Sequence, residues 1–188
     1  MNKSILITAL VVFAGAYMIL AARPVCAQAA ATPSREASEK AIRTIVYESA
    51  MSAQTGDVKL YRRNLAKRSF ELVKLVYQGL QELPEDNQVL IENNFDTVDK
   101  FLDATFVQGA SQYANLSKEK KEDNARAQAA GKITFLSDKE AVIAVGDSSL
   151  RLVWEDNAWK VDETETGKKM WLQNFQFKQA TREKIEKL

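Results

Sequence analysis

The stretch RLVWEDNAWKVDE, Arg151 to Glu163, decides the fold class because it has the pattern of a β-hairpin. Two runs that alternate between apolar and polar residues flank Asp156-Asn157, a pair that favours a two-residue hairpin loop. This loop sets the facing cross-strand pairs, which are Trp154 with Trp159, Leu152 with Val161 and Arg151 with Asp162. The apolar pairs share one face and the ion pair lies on the other, so both kinds of pair favour the same register.

The hairpin is predicted to close a longer antiparallel meander over residues 132–164. Turn signals at Ser137-Asp138 and Gly146-Asp147 divide this segment into three strands and a return strand. The same alternation places Ile143 and Val145 on the face of the tryptophans. We expect the C-terminal tail or a second subunit to cover the opposite face, because that face is partly apolar too. Its apolar residues are Ile133, Phe135, Val142, Ala144 and Val153.

In residues 32–83, which precede the meander, the apolar residues recur at helical spacing. A first helix is predicted to begin at Thr32-Pro33, with Pro33 in the first helical position, and to end at Gly56. Asp57 is predicted to cap the next helix, since its carboxylate accepts hydrogen bonds from free backbone amides. From Val58 to Leu83 the apolar stripe has heptad-like spacing, which predicts one long helix or two that break near Ser69.

Two more helices are predicted before the first strand. One spans about residues 87–107, and a polar surface helix ends at Gly131. Helices followed by a meander predict an α+β fold, with the N-terminal helices packed on one face of the C-terminal antiparallel sheet in a cone-like shape. Because the chain has no Pro/Gly-rich linker, we expect a single domain over residues 30–188 that ends in an aromatic tail.

Residues 1–29 have the order of a secretory signal peptide: a basic start, an apolar run and small residues around Ala27 and Ala29. We therefore expect an exported protein, periplasmic or extracellular. The apolar run from Ile5 to Ala22 is longer than the usual signal core, so the alternative is an uncleaved single-pass anchor. Membrane contact is expected only if this leader is retained.

The composition argues against most enzyme classes. The chain has no histidine, and its single cysteine, Cys26, lies in the leader. The usual nucleophile systems and the usual zinc or copper ligands are therefore missing, and we expect no metal and no cofactor. Asp99 and Asp103 lie one turn apart on a predicted helix, a spacing more typical of a solvated stripe than of a catalytic pair. With 26 Lys+Arg and 25 Asp+Glu, no charge excess favours nucleic acid.

The aromatic residues are the candidate ligand- or partner-binding side chains. We interpret Trp154 and Trp159 as core, with a ligand platform between sheet and helices as the alternative. The tail KKMWLQNFQFKQATREKIEKL either docks a partner or membrane surface or packs back on the domain. The full candidate set is Trp154, Trp159, Tyr47, Tyr61, Trp171 and Phe175.

Two segments, AIRTIVYESAMSAQTGDVKLY and LRLVWEDNAWKVDE, resemble exported members of the nuclear-transport-factor-2-like superfamily, which have a cystatin-like α+β fold. The resemblance covers residues 36–66 and 131–164 and rests on the Gly56-Asp57 break and the hairpin that ends in Trp159-Lys160-Val161-Asp162. It implies a cone-shaped domain with a pocket between sheet and helices. Relatives of this kind include ketosteroid isomerase-like enzymes and non-catalytic binding domains, and no catalytic residue is carried over.

Three functions follow as hypotheses. The first is a non-enzymatic exported accessory domain that binds a small apolar ligand or a protein partner, including a second copy through Phe135, Val142 and Val153. The second is a small pocket enzyme that pairs a carboxylate, Glu163 or Asp57, with a tyrosine, Tyr47 or Tyr61. In that set Asp57 is better explained as a helix cap and Glu163 as a surface acid at the strand end. The third is an anchored structural subunit that pairs through helix 58–83.

Overall fold

The computed structural model describes residues 33–83 and 95–188, in which helices precede a four-stranded sheet and two further helices follow it. The helices are α1 Arg35–Thr55, α2 Val58–Asn64, α3 Lys67–Gln81, α4 Val98–Ala110, α5 Lys118–Ala129, α6 Thr164–Asn174 and α7 Gln179–Lys187, with a 3-10 turn at Ser111–Tyr113. The strands are β1 Ile133–Ser137, β2 Glu140–Val145, β3 Ser148–Glu155 and β4 Ala158–Asp162. The α+β class is confirmed, whereas the predicted leader lies outside the described residues.

The ends of α1 show how local sequence places helix boundaries. Ser34, rather than Thr32, precedes the helix, and its Oγ accepts from the backbone N–H of Ala37 at 3.3 Å. Gly56 ends the helix in the left-handed region, at φ 74°, where a glycine has no steric cost. Asp57 then caps α2 by accepting from the Leu60 N–H at 3.0 Å. The predicted end and the predicted cap are both confirmed.

The heptad-like stripe from Val58 to Leu83 does not form one helix. It breaks at Leu65–Ala66, before the predicted Ser69, because Leu65 is extended and forms a parallel bridge with Val161 of β4. The backbone N–H of Ala66 donates to the carbonyl oxygen of Val161 at 2.8 Å. A straight, exposed pairing helix over 58–83 is therefore wrong, since its apolar residues are buried inside the domain. These are Leu65, Leu72, Val76 and Leu80.

The later helices also differ from the prediction at their ends. Thr97 caps α4, so that helix begins at Val98, and the part of the prediction over 87–94 lies outside the described residues. α5 ends at Ala129, just before Gly131. A Cβ at Gly131 would lie 1.8 Å from the carbonyl oxygen of Ala144, so glycine allows the chain to pass close to β2 there.

The sheet is an antiparallel meander in the order β1-β2-β3-β4, as predicted. Asp156 and Asn157 have φ values of 50° and 62°, which is the conformation of a type I′ hairpin loop. The predicted register of the hairpin is confirmed by its pairs, Trp154 with Trp159, Leu152 with Val161 and Arg151 with Asp162.

The predicted position of β1 is wrong by one residue. Phe135 pairs with Ala141 and Ile133 with Ile143, so both side chains lie on the tryptophan face instead of the opposite face. The turn follows Ser137 and the register shifts between Phe135 and Ser137. A one-residue slip moves every side chain of a strand to the other face, and this irregularity leaves Leu136 exposed.

The buried apolar side chains of the described residues form two clusters. In the first, α1 packs on the tryptophan face of the sheet, and its buried members are Ile42, Val46, Ala141, Ile143, Leu152 and Trp159. The second surrounds α3 and includes the C-terminal helices, with Leu72, Val76, Tyr77, Leu80, Leu83, Phe101, Phe177 and Ile185 buried. The aromatic tail therefore packs back on the domain.

Candidate functional site

A cavity of about 530 Å³ lies among α2, α3, α4, the 3-10 turn, the start of β3 and α6. Most of its wall is apolar or aromatic, which is typical of a small-molecule site. The main apolar wall residues are Leu65, Leu72, Phe101, Leu102, Phe106 and Trp171.

Two polar side chains, Tyr61 and Glu163, meet in this cavity. The hydroxyl of Tyr61 donates to Oε2 of Glu163 at 2.8 Å. The Tyr61 ring stacks on Phe106 with centroids 4.0 Å apart, which holds the hydroxyl in place. An acid and a phenol, far apart in sequence, thus form one polar anchor in an apolar wall.

The backbone at Glu163 is held by a buried polar network at the junction of β4 and α6. The backbone N–H of Glu163 donates to Oγ of Ser69 in α3 at 2.8 Å. Oδ1 of Asp162 accepts from the backbone N–H of Thr164 at 3.0 Å and from Oγ of Ser69 at 3.3 Å. Because Ser69, Asp162 and Thr164 are all buried, this network fixes where the Glu163 side chain enters the cavity.

Tyr61 is positioned from the other side by an ion-pair cluster on its own helix. Arg62 binds Asp99 at 2.5 Å and Asp103 at 2.6 Å, which ties α2 to α4. The two aspartates, which the sequence placed on one helix face, are thus partners of an arginine on the surface.

The surroundings shift the pKa values of both anchor groups upward. Burial raises the pKa of the Glu163 carboxyl, the negative charge of Asp162 raises it further, and the hydrogen bond from Tyr61 opposes the rise. Burial also raises the pKa of Tyr61 well above its usual range, with the charge and hydrogen bond of Glu163 adding to the effect. Tyr61 therefore remains a hydrogen-bond donor at neutral pH, and the Glu163 carboxyl holds its proton more readily than an exposed glutamate does.

The structure brings some of the candidate residues together and separates the others. Tyr61 and Trp171 line the cavity. Glu163 is half-buried in it, so the interpretation of Glu163 as a surface acid is wrong. Asp57 serves as the cap of α2, and Tyr47 is half-buried but does not line this cavity. Phe175 packs on Trp171 with centroids 5.4 Å apart, in the cluster around α3.

The paired tryptophans lie away from this cavity. Trp159 is 1% exposed and contacts Trp154 and Phe135 edge to face, at centroid distances of 5.8 and 6.1 Å. Both tryptophans border a groove between α1 and the hairpin, and the buried indole N–H of Trp159 has no hydrogen-bond partner among the described residues. Trp159 thus packs as a core residue, whereas Trp154 is half-buried at the edge of the groove.

One feature of the sequence indicates this cavity, namely polar residues on an otherwise apolar helical stripe. In the apolar stripe over 58–83, Tyr61 and Ser69 are the polar members, and both contact Glu163. A polar residue on a buried stripe needs a partner, which here comes from the end of β4. The pairing itself depends on chain segments far apart in sequence.

Within residues 33–83 and 95–188, no group of three His, Cys, Asp or Glu side chains is arranged to hold a metal ion. No described helix has both the length and the apolar character needed to cross a membrane. Comparisons with protein-family models, with curated proteins and with solved structures found no match to this chain. The nuclear-transport-factor-2-like assignment therefore stays a prediction from the quoted segments.

Proposed function

We propose that this chain is an exported accessory domain that binds a small, mainly apolar molecule in the cavity around Tyr61 and Glu163. The observation that carries the proposal is the hydrogen-bonded pair of these two residues in a mainly apolar wall. Specific pockets combine such a wall with a few polar groups that orient the ligand. The signal-like order of residues 1–29 supports the export part of the proposal.

The size of the cavity supports a small molecule rather than a protein segment. At about 530 Å³ it lies in the range of roughly 300–1,000 Å³ that is usual for such sites. The backbone positions of its wall are set by buried contacts, since Leu65 and Ser69 are 4% and 3% exposed. A site held in this way loses little entropy when a ligand binds.

A fluorescence titration with N-phenyl-1-naphthylamine, a neutral apolar probe, tests the proposal. Gly109 lines the cavity in α4, and a Cβ placed there would have no atom within 4 Å. We expect Gly109→Phe to lower probe affinity at least about tenfold, or about 1.4 kcal/mol. Gly109→Ala, the matched control at the same helical position, should keep the affinity. Equal probe binding by both variants would place the probe elsewhere and contradict the proposal.

The same pair of residues supports a second candidate, a proton-transfer enzyme. A carboxylate with a raised pKa in an apolar site is a suitable general base, and Tyr61 is a donor beside it. The presence of both groups in one cavity favours this candidate over an enzyme built on Asp57 or Tyr47.

Ring opening of 5-nitrobenzisoxazole tests the second candidate. The base removes the C3 proton, the electron pair of that bond forms the nitrile, and the N–O bond breaks to release a phenolate. If Glu163 acts as the base, wild-type protein accelerates this reaction and Glu163→Gln loses the acceleration. A rate in wild type equal to that in Glu163→Gln would remove the enzyme candidate and leave the binding domain.

A further inference from the structure

The described residues of the cavity wall include an acidic side chain but no basic one. Glu163 is the acidic residue among the described residues that line the cavity, and none of these residues is a lysine or an arginine. No basic side chain among the described residues of the wall is therefore available to neutralise this carboxylate.

The Glu163 carboxylate has an unused acceptor. Its Oε2 accepts from Tyr61, whereas no hydrogen bond joins Oε1 to a described residue. No described lysine or arginine forms an ion pair with Glu163, and the charged neighbour that acts on it is Asp162, which has the same sign. A half-buried charge without a counter-ion in the protein loses part of its hydration, so a bound cation that donates to Oε1 would relieve this cost.

The rest of the wall suits the organic part of such a cation. Tyr61, Phe101, Phe106 and Trp171 present aromatic rings around the cavity. Aromatic faces attract ammonium groups through their quadrupoles and pack against apolar carbon. The cavity therefore combines one carboxylate acceptor, aromatic side chains and apolar volume.

From these features we infer that the cavity selects organic amines, with a protonated nitrogen at Glu163 Oε1 and an aromatic or branched apolar body against the rings. This inference rests on the proposed function, and it names the ligand class of the same site. Fatty acids and other carboxylates are excluded by it, because they would bring a second negative charge next to Glu163 without a basic side chain to bind it.

Three naphthalene compounds with the same ring test the inference by displacement of N-phenyl-1-naphthylamine at pH 7. They are 1-naphthylmethylamine, which is protonated, 1-naphthalenemethanol, which is neutral, and 1-naphthoic acid, which is anionic. We expect the amine to bind at least about tenfold more tightly than the alcohol, and the acid to bind most weakly. Alcohol or acid binding as tight as that of the amine would overturn the inference.

Measurements on Glu163→Gln then test whether the carboxylate causes the preference for the amine over the alcohol. This variant should reduce the amine-to-alcohol affinity ratio to about one, whereas Glu165→Gln, on the exposed start of α6, should keep the wild-type ratio. A ratio that survives Glu163→Gln overturns the inference. If Glu163→Gln does not fold, the affinity order of the three compounds on wild-type protein still decides.

The two proposals fail in different ways. If Gly109→Phe blocks the neutral probe but the amine has no advantage over the alcohol, the cavity binds ligands without selecting amines. If Gly109→Phe leaves the binding of every compound unchanged, the cavity is not the site and the proposed function fails.

Discussion

The Trp159 region and the Glu163 cavity lie at the two ends of β4, yet the surrounding helices cover them differently. Each has aromatic rings beside a polar atom. Around Trp159, α1 covers the sheet closely enough that Ile42 and Val46 are 0% and 1% exposed. Beyond Asp162 the chain turns into α6, and the helices around Glu163 leave about 530 Å³ open. Similar residue types thus give a core or a pocket according to the layer that covers them.

The two regions also differ in whether their polar atoms have hydrogen-bond partners. The indole N–H of Trp159 is buried and has no described partner, a cost of about 1–3 kcal/mol that close packing must offset. In the cavity, Tyr61 and Glu163 bind each other and keep an acceptor available. The packed region therefore stabilises the fold, while the open region retains groups that a ligand can use.

The largest expected difference between the regions is in their tryptophans. Trp159→Ala should lower the free energy of unfolding by about 3–5 kcal/mol, because it removes a ring that is 1% exposed from a packed apolar cluster. Trp171→Ala should cost less, about 1–3 kcal/mol, because this half-buried ring already borders open space. Urea unfolding of both variants measures the two values. Equal losses would mean that the cavity wall is packed as tightly as the core.

Replacement of two glycines by alanine should change the free energy of unfolding by smaller amounts and in opposite directions. Gly131→Ala should lower the free energy of unfolding by about 1–3 kcal/mol, because its Cβ would overlap the Ala144 carbonyl oxygen. Gly109→Ala should raise it by about 0.5–1 kcal/mol, because the new methyl group meets no atom and alanine favours the helix. Thermal unfolding shows both directions. A loss of stability in Gly109→Ala would mean that the space beside α4 is filled in solution.

The smallest expected effect is the pH dependence of Glu163. Its folded pKa is raised above the ordinary value of 4.5, chiefly by burial and then by Asp162, so the fold favours the protonated acid. The stability that Glu163 contributes is therefore complete below pH 4.5 and is lost as the pH rises through the folded pKa. Tyr61 limits the size of the effect, because its hydrogen bond lowers this pKa.

Glu163→Gln removes this titration. The free energy of unfolding of Glu163→Gln, relative to wild type, should rise as the pH increases from 4.5 toward neutrality. Urea unfolding of wild type and Glu163→Gln at a series of pH values measures it. A relative stability of Glu163→Gln that falls with pH would show that the fold favours the ionised carboxylate.

The hairpin and the cap at Asp57 were predictable because their causes are local. Asp156 and Asn157 adopt positive φ readily, and the two-residue loop leaves one register for the flanking strands. Asp57 follows a glycine and precedes free amides, so its capping bond needs no distant partner. The position of β1 was not predictable in this way, because a shift next to Leu136 adds a residue that alternation alone does not reveal.

The candidate site shows the same division between local and distant causes. Sequence pattern was sufficient for the α+β class, the hairpin pairs and the presence of an aromatic tail, since each depends on residues within a few positions of one another. The break at Leu65–Ala66 and the meeting of Tyr61 with Glu163 depend on α2 and α3 docking against the end of β4. Such contacts are set by the packing of whole layers, and packing alone decides whether an acid at a strand end faces water or a cavity.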